Sequence, residues 1–325
     1  MKKVILVTGG SGLVGTALKS IRQDYPECEL QFADTTQCDL TRWDQVLAYF
    51  KARHPHAILH LAAHRGGIGL SSKHPATVLR NNVLMNLHVL EAARIFKTEK
   101  IVMSLSSGMY PAKAPCPMRE ECLHVGSPHE SNYSYAFAKR LIEPSIRAYR
   151  SEFGLNVVGL VPNGIFGEND DFASESSTFI AALLRRFYEN RNNDSKIVVW
   201  GDGSPLRELT YSKDIARAFM WGLLHYDSAE ILNIGSSEEY TIREIAWMIA
   251  GAFGIDKARI VFDATRPNGI FRKSTDNSKF VRLSGFQFTP FETGLKNTIH
   301  WLQENYPVNA LWQAAQKNAL DRPVG

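Results

Sequence analysis

Val4-Ile-Leu-Val-Thr-Gly-Gly-Ser-Gly-Leu-Val-Gly15 decides how the chain folds. Val4 to Val7 is an unbroken apolar run, the pattern of a strand buried on both faces. Glycines follow at 9, 10, 12 and 15, and Leu13, Val14, Ala17, Leu18 and Ile21 then recur at helical spacing. Strand, glycine-rich turn and helix together open a dinucleotide-binding unit. The glycines let the backbone turn tightly and approach a pyrophosphate at the helix N-terminus. Gly9, Gly12, Leu13, Val14 and Gly15 are therefore candidate cofactor contacts.

Working outward, Glu29-Leu-Gln-Phe-Ala33 reads as the second strand, and Asp34 ends it. An acid about 20 residues past the glycines accepts hydrogen bonds from the adenine ribose and repels a 2′-phosphate. On the residues alone Asp34 favours NADH; the alternative for a strand-end Asp is a turn cap. Asp39, in the next connection, is a candidate for the adenine. Ala57-Ile-Leu-His-Leu-Ala-Ala63, Ile101-Val-Met-Ser-Leu105 and Leu155-Asn-Val-Val-Gly-Leu-Val161 read as further buried strands, with a helix over Val78 to Ala93. Leu61, Ala62, Ala63, Asn82 and Pro162 then fall beside the cofactor. The alternation predicts an α/β, Rossmann-type, doubly wound parallel sheet with a smaller α+β substrate-binding lobe. The expected division is a dinucleotide domain over 1–162, with about 208–233 returning to it, and a lobe over 163–207 and 234–325.

Composition fits a globular enzyme: 44% apolar, 22% charged, net charge +4. No basic block marks a nucleic-acid arm, and no apolar run of about 18 residues marks a membrane span. Cys28, Cys38, Cys116 and Cys122 fit no zinc spacing, so no metal and a reduced, cytoplasmic setting are expected.

The chemistry gathers in Ser104-Leu-Ser-Ser-Gly-Met-Tyr-Pro111 and Asn132-Tyr-Ser-Tyr-Ala-Phe-Ala-Lys139. Ser106 follows a buried strand. Tyr135 and Lys139, four apart, share a helix face. A phenol can protonate the alkoxide that a reduced ketone leaves, and a second hydroxyl can share that oxygen. An ammonium beside the phenol is expected to lower its pKa from about 10. Pro144 falls inside the span of this helix and should kink or end it.

These features together match the extended short-chain dehydrogenase/reductase superfamily. Its GDP-L-fucose synthase family is the one the chain resembles nearly end to end. The resemblance is carried by Thr8 to Gly15, His60-Leu-Ala-Ala-His-Arg-Gly-Gly-Ile68, Tyr133 to Lys139 and Phe166-Gly-Glu-Asn-Asp-Asp-Phe172. Ala182-Leu-Leu-Arg-Arg186, Val198-Val-Trp-Gly-Asp-Gly-Ser-Pro-Leu-Arg207 and Asp276-Asn-Ser-Lys279 complete it. It implies a homodimer, NADPH as cofactor and a GDP-sugar substrate. Arg186, Trp200, Arg207 and Lys273 would hold the nucleotide diphosphate, and Ser107, Gly108, Asn163 and Thr178 the sugar side.

The chain departs from that family at informative positions. The family's epimerase pair is a Cys two residues after the Ser and a His opening the Leu-Leu-Arg-Arg helix; here they are Gly108 and Thr178. The usual Pro-Thr-Asn becomes Pro162-Asn163-Gly164. Cys116, Cys122 and His64 are the candidate substitutes. The expectation is a reductase without the epimerase pair. A full GDP-L-fucose synthase, an NAD-dependent 4-epimerase and a non-catalytic cofactor sensor stay open. A 4,6-dehydratase is disfavoured, since Ser106-Ser107-Gly108 carries no carboxylate.

Overall fold

The computed structural model describes residues 2–65, 71, 73–172 and 177–306. The Gly-Gly-Ile part of the 60–68 motif and residues 307–325 of the expected lobe lie outside these. In chain order the first elements are β1 (Lys3–Thr8), α1 (Leu13–Ser20), β2 (Cys28–Ala33), α2 (Trp43–Arg53), β3 (Ala57–His60), α3 (Pro75–Ile95), β4 (Lys100–Ser104), α4 (Tyr133–Arg140), α5 (Ile142–Phe153) and β5 (Val157–Pro162). There follow β6 (Ile165–Phe166), α6 (Phe179–Glu189), β7 (Ile197–Trp200), β8 (Leu206–Glu208), β9 (Thr210–Tyr211), α7 (Ser212–His225) and β10 (Leu232–Ile234). The last are β11 (Glu239–Thr241), α8 (Ile242–Phe253), β12 (Ile260–Asp263), β13 (Arg272–Lys273), α9 (Ser278–Ser284) and α10 (Phe291–Asn305).

Six strands form one parallel sheet in the order β10-β5-β4-β3-β1-β2. Alternate side chains of each strand enter opposite cores. Leu6, Ile58, Ile101, Met103 and Val157 pack with Phe50, Val89 and Ile146 from α2, α3 and α5. Ile5, Val7, Leu59, Val102 and Val158 pack with Leu18 and Phe219 from α1 and α7. This is the doubly wound sheet that the apolar runs predict. The strand order reverses between β1 and β3, and ligands of such sheets bind outside the C-terminal strand ends at that crevice.

The remaining strands are short and pair locally: β11-β8-β13, β12-β7 and β6-β9. They gather around a third core that includes Phe166, Leu184, Phe187, Ile245 and Phe291. The α8 N-terminus carries the capping box its sequence predicts, Thr241 with Glu244.

Two boundaries differ from the sequence reading, each for a local reason. Strand β3 stops at His60, because Asn82 draws the next residues off the sheet: its Oδ1 accepts from His64 N at 3.0 Å and its Nδ2 donates to His64 O at 2.9 Å. The break near Pro144 falls at Leu141, between α4 and α5. Pro144 has no N–H to give the Arg140 carbonyl, so the helix loses that bond and restarts one residue on.

Candidate active site

Gly9 turns the chain with φ +71°, and Gly12 caps α1 with no side-chain cap. A Cβ on Gly15 would lie 2.4 Å from the Gly9 carbonyl oxygen, and one on Gly9 would lie 2.7 Å from Ala62 N. The loop is thus a close-packed backbone cradle whose first-turn N–H groups meet no acidic residue. Its donors and shape fit a pyrophosphate. Asp34, the expected ribose contact, follows β2, and its Oδ1 caps the next turn, accepting from Thr36 N at 2.9 Å and Thr36 Oγ1 at 2.6 Å. Asp39 does the same for Thr41, at 2.9 and 2.7 Å. Asn82 has committed its amide to His64 and to the Val78 carbonyl at 2.7 Å, so it shapes the loop after β3 from behind.

Beneath this cradle His60 is fully buried, and burial pushes its pKa down to about 3. The neutral ring donates from Nε2 to Asn86 Oδ1 at 3.1 Å, which leaves Nδ1 to accept from Thr8 Oγ1 at 2.8 Å. That bond joins β1 to β3 at the sheet's C-terminal edge.

Ser106 starts a 3₁₀ turn and accepts from Gly108 N at 3.2 Å; its hydroxyl stands close enough to the Tyr135 phenol to favour the phenolate. Lys139 Nζ donates to the Ser104 carbonyl at 2.7 Å and lies 6.0 Å from the Tyr135 ring centroid. The three residues singled out in the sequence therefore meet at the end of β4. Buried Arg140 keeps this loop in place, donating to the Met109 carbonyl at 3.0 Å and to Gly126 O at 2.8 Å.

The electrostatics correct one expectation. Burial raises the Tyr135 phenol above 10.0, and the groups that oppose this are Arg65 and Ser106, with Lys139 not among them. Lys139 is itself pushed down to about 7, by burial first and then by Arg65. The Lys139 charge acts instead on His60, whose pKa it helps to lower. Arg65 is the residue that sequence reasoning passed over. It is exposed, yet its charge acts on Tyr135, Lys139, Asp170 and Lys273. Its one sequence signal was its place just after the third strand.

These values fix a sign. Between about 7 and the ordinary 10.5, Lys139 is protonated in the unfolded chain and neutral in the folded one. Its charged form destabilises the fold below that window, and the penalty fades as pH rises through it. The wild-type melting temperature, measured relative to Lys139→Met, should therefore rise from pH 7 to pH 10. A flat difference would remove the burial argument.

On the substrate side, Ser107 Oγ donates to Asn163 Oδ1 at 2.6 Å. A Cβ on Gly108 would come 3.0 Å from Asn132 Nδ2 and 3.5 Å from Ser106 Oγ. Thr178 caps α6, accepting from Ala181 N at 3.3 Å, and its hydroxyl donates to Asp170 Oδ2 at 3.3 Å. Asp170 is buried, and burial pushes its carboxyl up to about 6. Lys273 pairs in register with Arg207 across β13 and β8. Burial pushes Lys273 down to about 8, helped by Arg65 and Arg207. Arg207 Nη1 donates to Leu206 O and Ile270 O, both at 2.8 Å. Arg186 donates to the Val198 carbonyl, beside Trp200. Trp200 is 58% exposed, with the Arg266 guanidinium 5.3 Å from its ring centroid. The expected diphosphate residues thus form two groups, Arg207 with Lys273 and Arg186 near Trp200. Of the substitute acids, Cys116 Sγ bonds the Arg272 carbonyl at 3.4 Å and Cys122 lies in a short 3₁₀ turn. His64 Nδ1 accepts from Asn81 Nδ2 at 2.9 Å.

The model of the NAD dependent epimerase/dehydratase family matches residues 5–235. A Drosophila melanogaster protein described as a probable GDP-L-fucose synthase is 37% identical over 318 residues, covering 94% of this chain and 98% of the relative. The crystal structure of a Naegleria fowleri GDP-L-fucose synthetase bound to NADP superposes with a TM-score of 0.89 at 34% identity, covering 94% of each chain. A Campylobacter jejuni GDP-6-OMe-4-keto-L-xylo-heptose reductase shares the fold, with a TM-score of 0.86 at 24% identity over 94% of this chain and 98% of that one.

Proposed function

The chain belongs to the NAD dependent epimerase/dehydratase family and, within it, to the GDP-L-fucose synthase family, and from that premise we propose that it is an NAD(P)H-dependent 4-keto reductase of a GDP-6-deoxy-4-keto sugar, hexose or heptose, lacking the family's epimerase pair. The observation that carries this reading is the meeting of Ser106, Tyr135 and Lys139 at the end of β4 in a chain whose residues at the family's epimerase positions are Gly108 and Thr178.

When bound, the reduced nicotinamide supplies a hydride to the keto carbon. Tyr135, kept protonated by burial, donates its proton to the keto oxygen as negative charge develops there. Ser106, whose oxygen accepts from Gly108 N, has its one proton to turn from the phenol to that oxygen as a second hydrogen bond. Lys139, poised at about 7 on the same helix face, is a proton source from which the phenol can be recharged. Arg207 and Lys273 supply cationic donors for a diphosphate, and Trp200 an exposed ring face for a base.

Epimerisation at C3 and C5 needs a base to remove each carbon-bound proton. Gly108 has no proton to move, and a Thr hydroxyl is a poor base at neutral pH. Incubation with the 4-keto-6-deoxy sugar and cofactor in heavy water should therefore leave C3 and C5 free of deuterium; deuterium at both would restore the full synthase. Asp170 supports a second reading. Its carboxyl, near 6 and bonded to Thr178, is one acid/base group, and it would mark a single carbon.

The cofactor follows from Asp34, a carboxylate that would oppose a 2′-phosphate by several kcal/mol. Asp34→Ser keeps a hydroxyl to cap Thr36 while removing that charge. It should shift kcat/KM toward NADPH over NADH by about tenfold or more. An unchanged ratio would leave Asp34 as a turn cap only.

A further inference from the structure

We propose that Glu208 is a positioning residue that, through Asn163, fixes the Ser107 hydroxyl as a hydrogen-bond acceptor toward the sugar. The inference rests on the function proposed above and assigns a polarity within that site.

Glu208 is 1% exposed and lies at the end of β8, one residue past Arg207. Every group around its carboxylate donates. Oε2 accepts from Asn163 Nδ2 at 2.6 Å, Thr275 N at 2.8 Å and Thr275 Oγ1 at 3.0 Å. Oε1 accepts from Asn277 Nδ2 at 2.7 Å and Ser237 N at 3.2 Å. Glycine closes the cage, since a Cβ on Gly235 would stand 2.0 Å from Oε1. The strand after β5, the turn after β10 and the segment before α9 thus converge on one carboxylate.

That carboxylate decides which way Asn163 points. An acceptor-only neighbour at 2.6 Å admits the amide nitrogen and rejects the amide oxygen. Asn163 Oδ1 must then face Ser107, and Ser107 must donate to it at 2.6 Å. A hydroxyl has one proton, so Ser107 has only lone pairs left to offer. It can accept from a sugar hydroxyl but cannot donate to a sugar carbonyl. The hydroxyl next to Ser106 is thereby kept from competing for the keto oxygen. Ser106 and Tyr135 alone protonate and bind that oxygen, while Ser107 selects for a hydroxyl-bearing neighbour carbon.

Glu208→Gln puts an NH₂ against one set of those donors and frees Asn163 to flip. In the full chain it should lower kcat/KM for the keto sugar by about tenfold or more, with the NADH Kd within about twofold of wild type. A merely structural role would not couple to Ser107, so the test is a double-mutant cycle with Ser107→Ala. The cost of Glu208→Gln should shrink at least about threefold in the Ser107→Ala background; losses that multiply would overturn the proposal. Should Glu208→Gln fail to melt cooperatively, Asn163→Ala cuts the same relay one bond nearer and is held to the same criterion. If the wild-type chain reduces no GDP-keto sugar, the function reading fails separately. The cycle is then scored on GDP-mannose affinity by calorimetry with NADH present, where coupling supports the relay and additivity refutes it.

Discussion

Tyr135→Phe should fold, bind its dinucleotide normally, and reduce the keto sugar about 10²–10⁴-fold more slowly, the usual worth of a positioned general acid. The substitution keeps the ring and its packing; only the hydroxyl beside Ser106 is lost. Ser106 retains its bond from Gly108 N, so the 3₁₀ turn has no reason to shift. The loss should fall on kcat, because the missing interaction strengthens only as charge develops on the keto oxygen. Ser106→Ala removes a hydrogen bond but no proton and should cost less, about 10–10²-fold. Single-turnover reduction, followed by nicotinamide absorbance, separates the chemical step from product release. A Tyr135→Phe rate within about threefold of wild type would remove the phenol from the proposed mechanism.

Much of this geometry was legible because it rests on short-range pattern. Four-residue apolar runs make buried strands, and glycines at 9 and 15 allow backbone approaches that a Cβ would block. The Tyr135-to-Lys139 spacing places both on one helix face. What escaped is long-range. Arg65 reads as one more charged loop residue, and only the fold brings its charge to bear on Tyr135, Lys139, Asp170 and Lys273 together. Lys139 was expected to lower its neighbour's pKa, but burial, which sequence spacing does not report, weakened the ammonium first. Glu208 looks like an ordinary acid after Arg207. Its donors come from residues 163, 237, 275 and 277, which no local pattern links. The strands around the third core are two to four residues long; Ile197–Trp200 shows as an apolar run, and the others are too short for alternation to show. Asp34 was half legible: the sequence places it at the strand end, while the Thr36 bonds show that it also caps a turn.

Gly164→Ala should be the most damaging Gly-to-Ala change among the described glycines. The Gly164 φ is +54°, and a Cβ there would lie 1.9 Å from the Glu208 carbonyl oxygen and 2.9 Å from its carbon. Those are backbone atoms, so no rotamer change relieves the clash; β8 must move away from the β5 end. The Gly164 carbonyl also accepts from Thr210 N at 2.9 Å, so moving one strand disturbs the β6–β9 pair as well. Left-handed strain alone costs about 1–2 kcal/mol; with the steric term the loss should reach about 3–5 kcal/mol, the range reserved for named core defects. Gly154→Ala is the control. It has φ +65° at the α5 C-cap but nothing within 4 Å of its Cβ, so it carries the strain without the clash. Thermal melts should lower Tm several degrees further for Gly164→Ala than for Gly154→Ala. Activity should follow, because the displaced strand carries both Arg207 and the carboxylate that orients Asn163. Equal melting temperatures for the two variants would mean that β8 does not pass this close to Gly164, and the relay from Glu208 to Ser107 would lose its anchor.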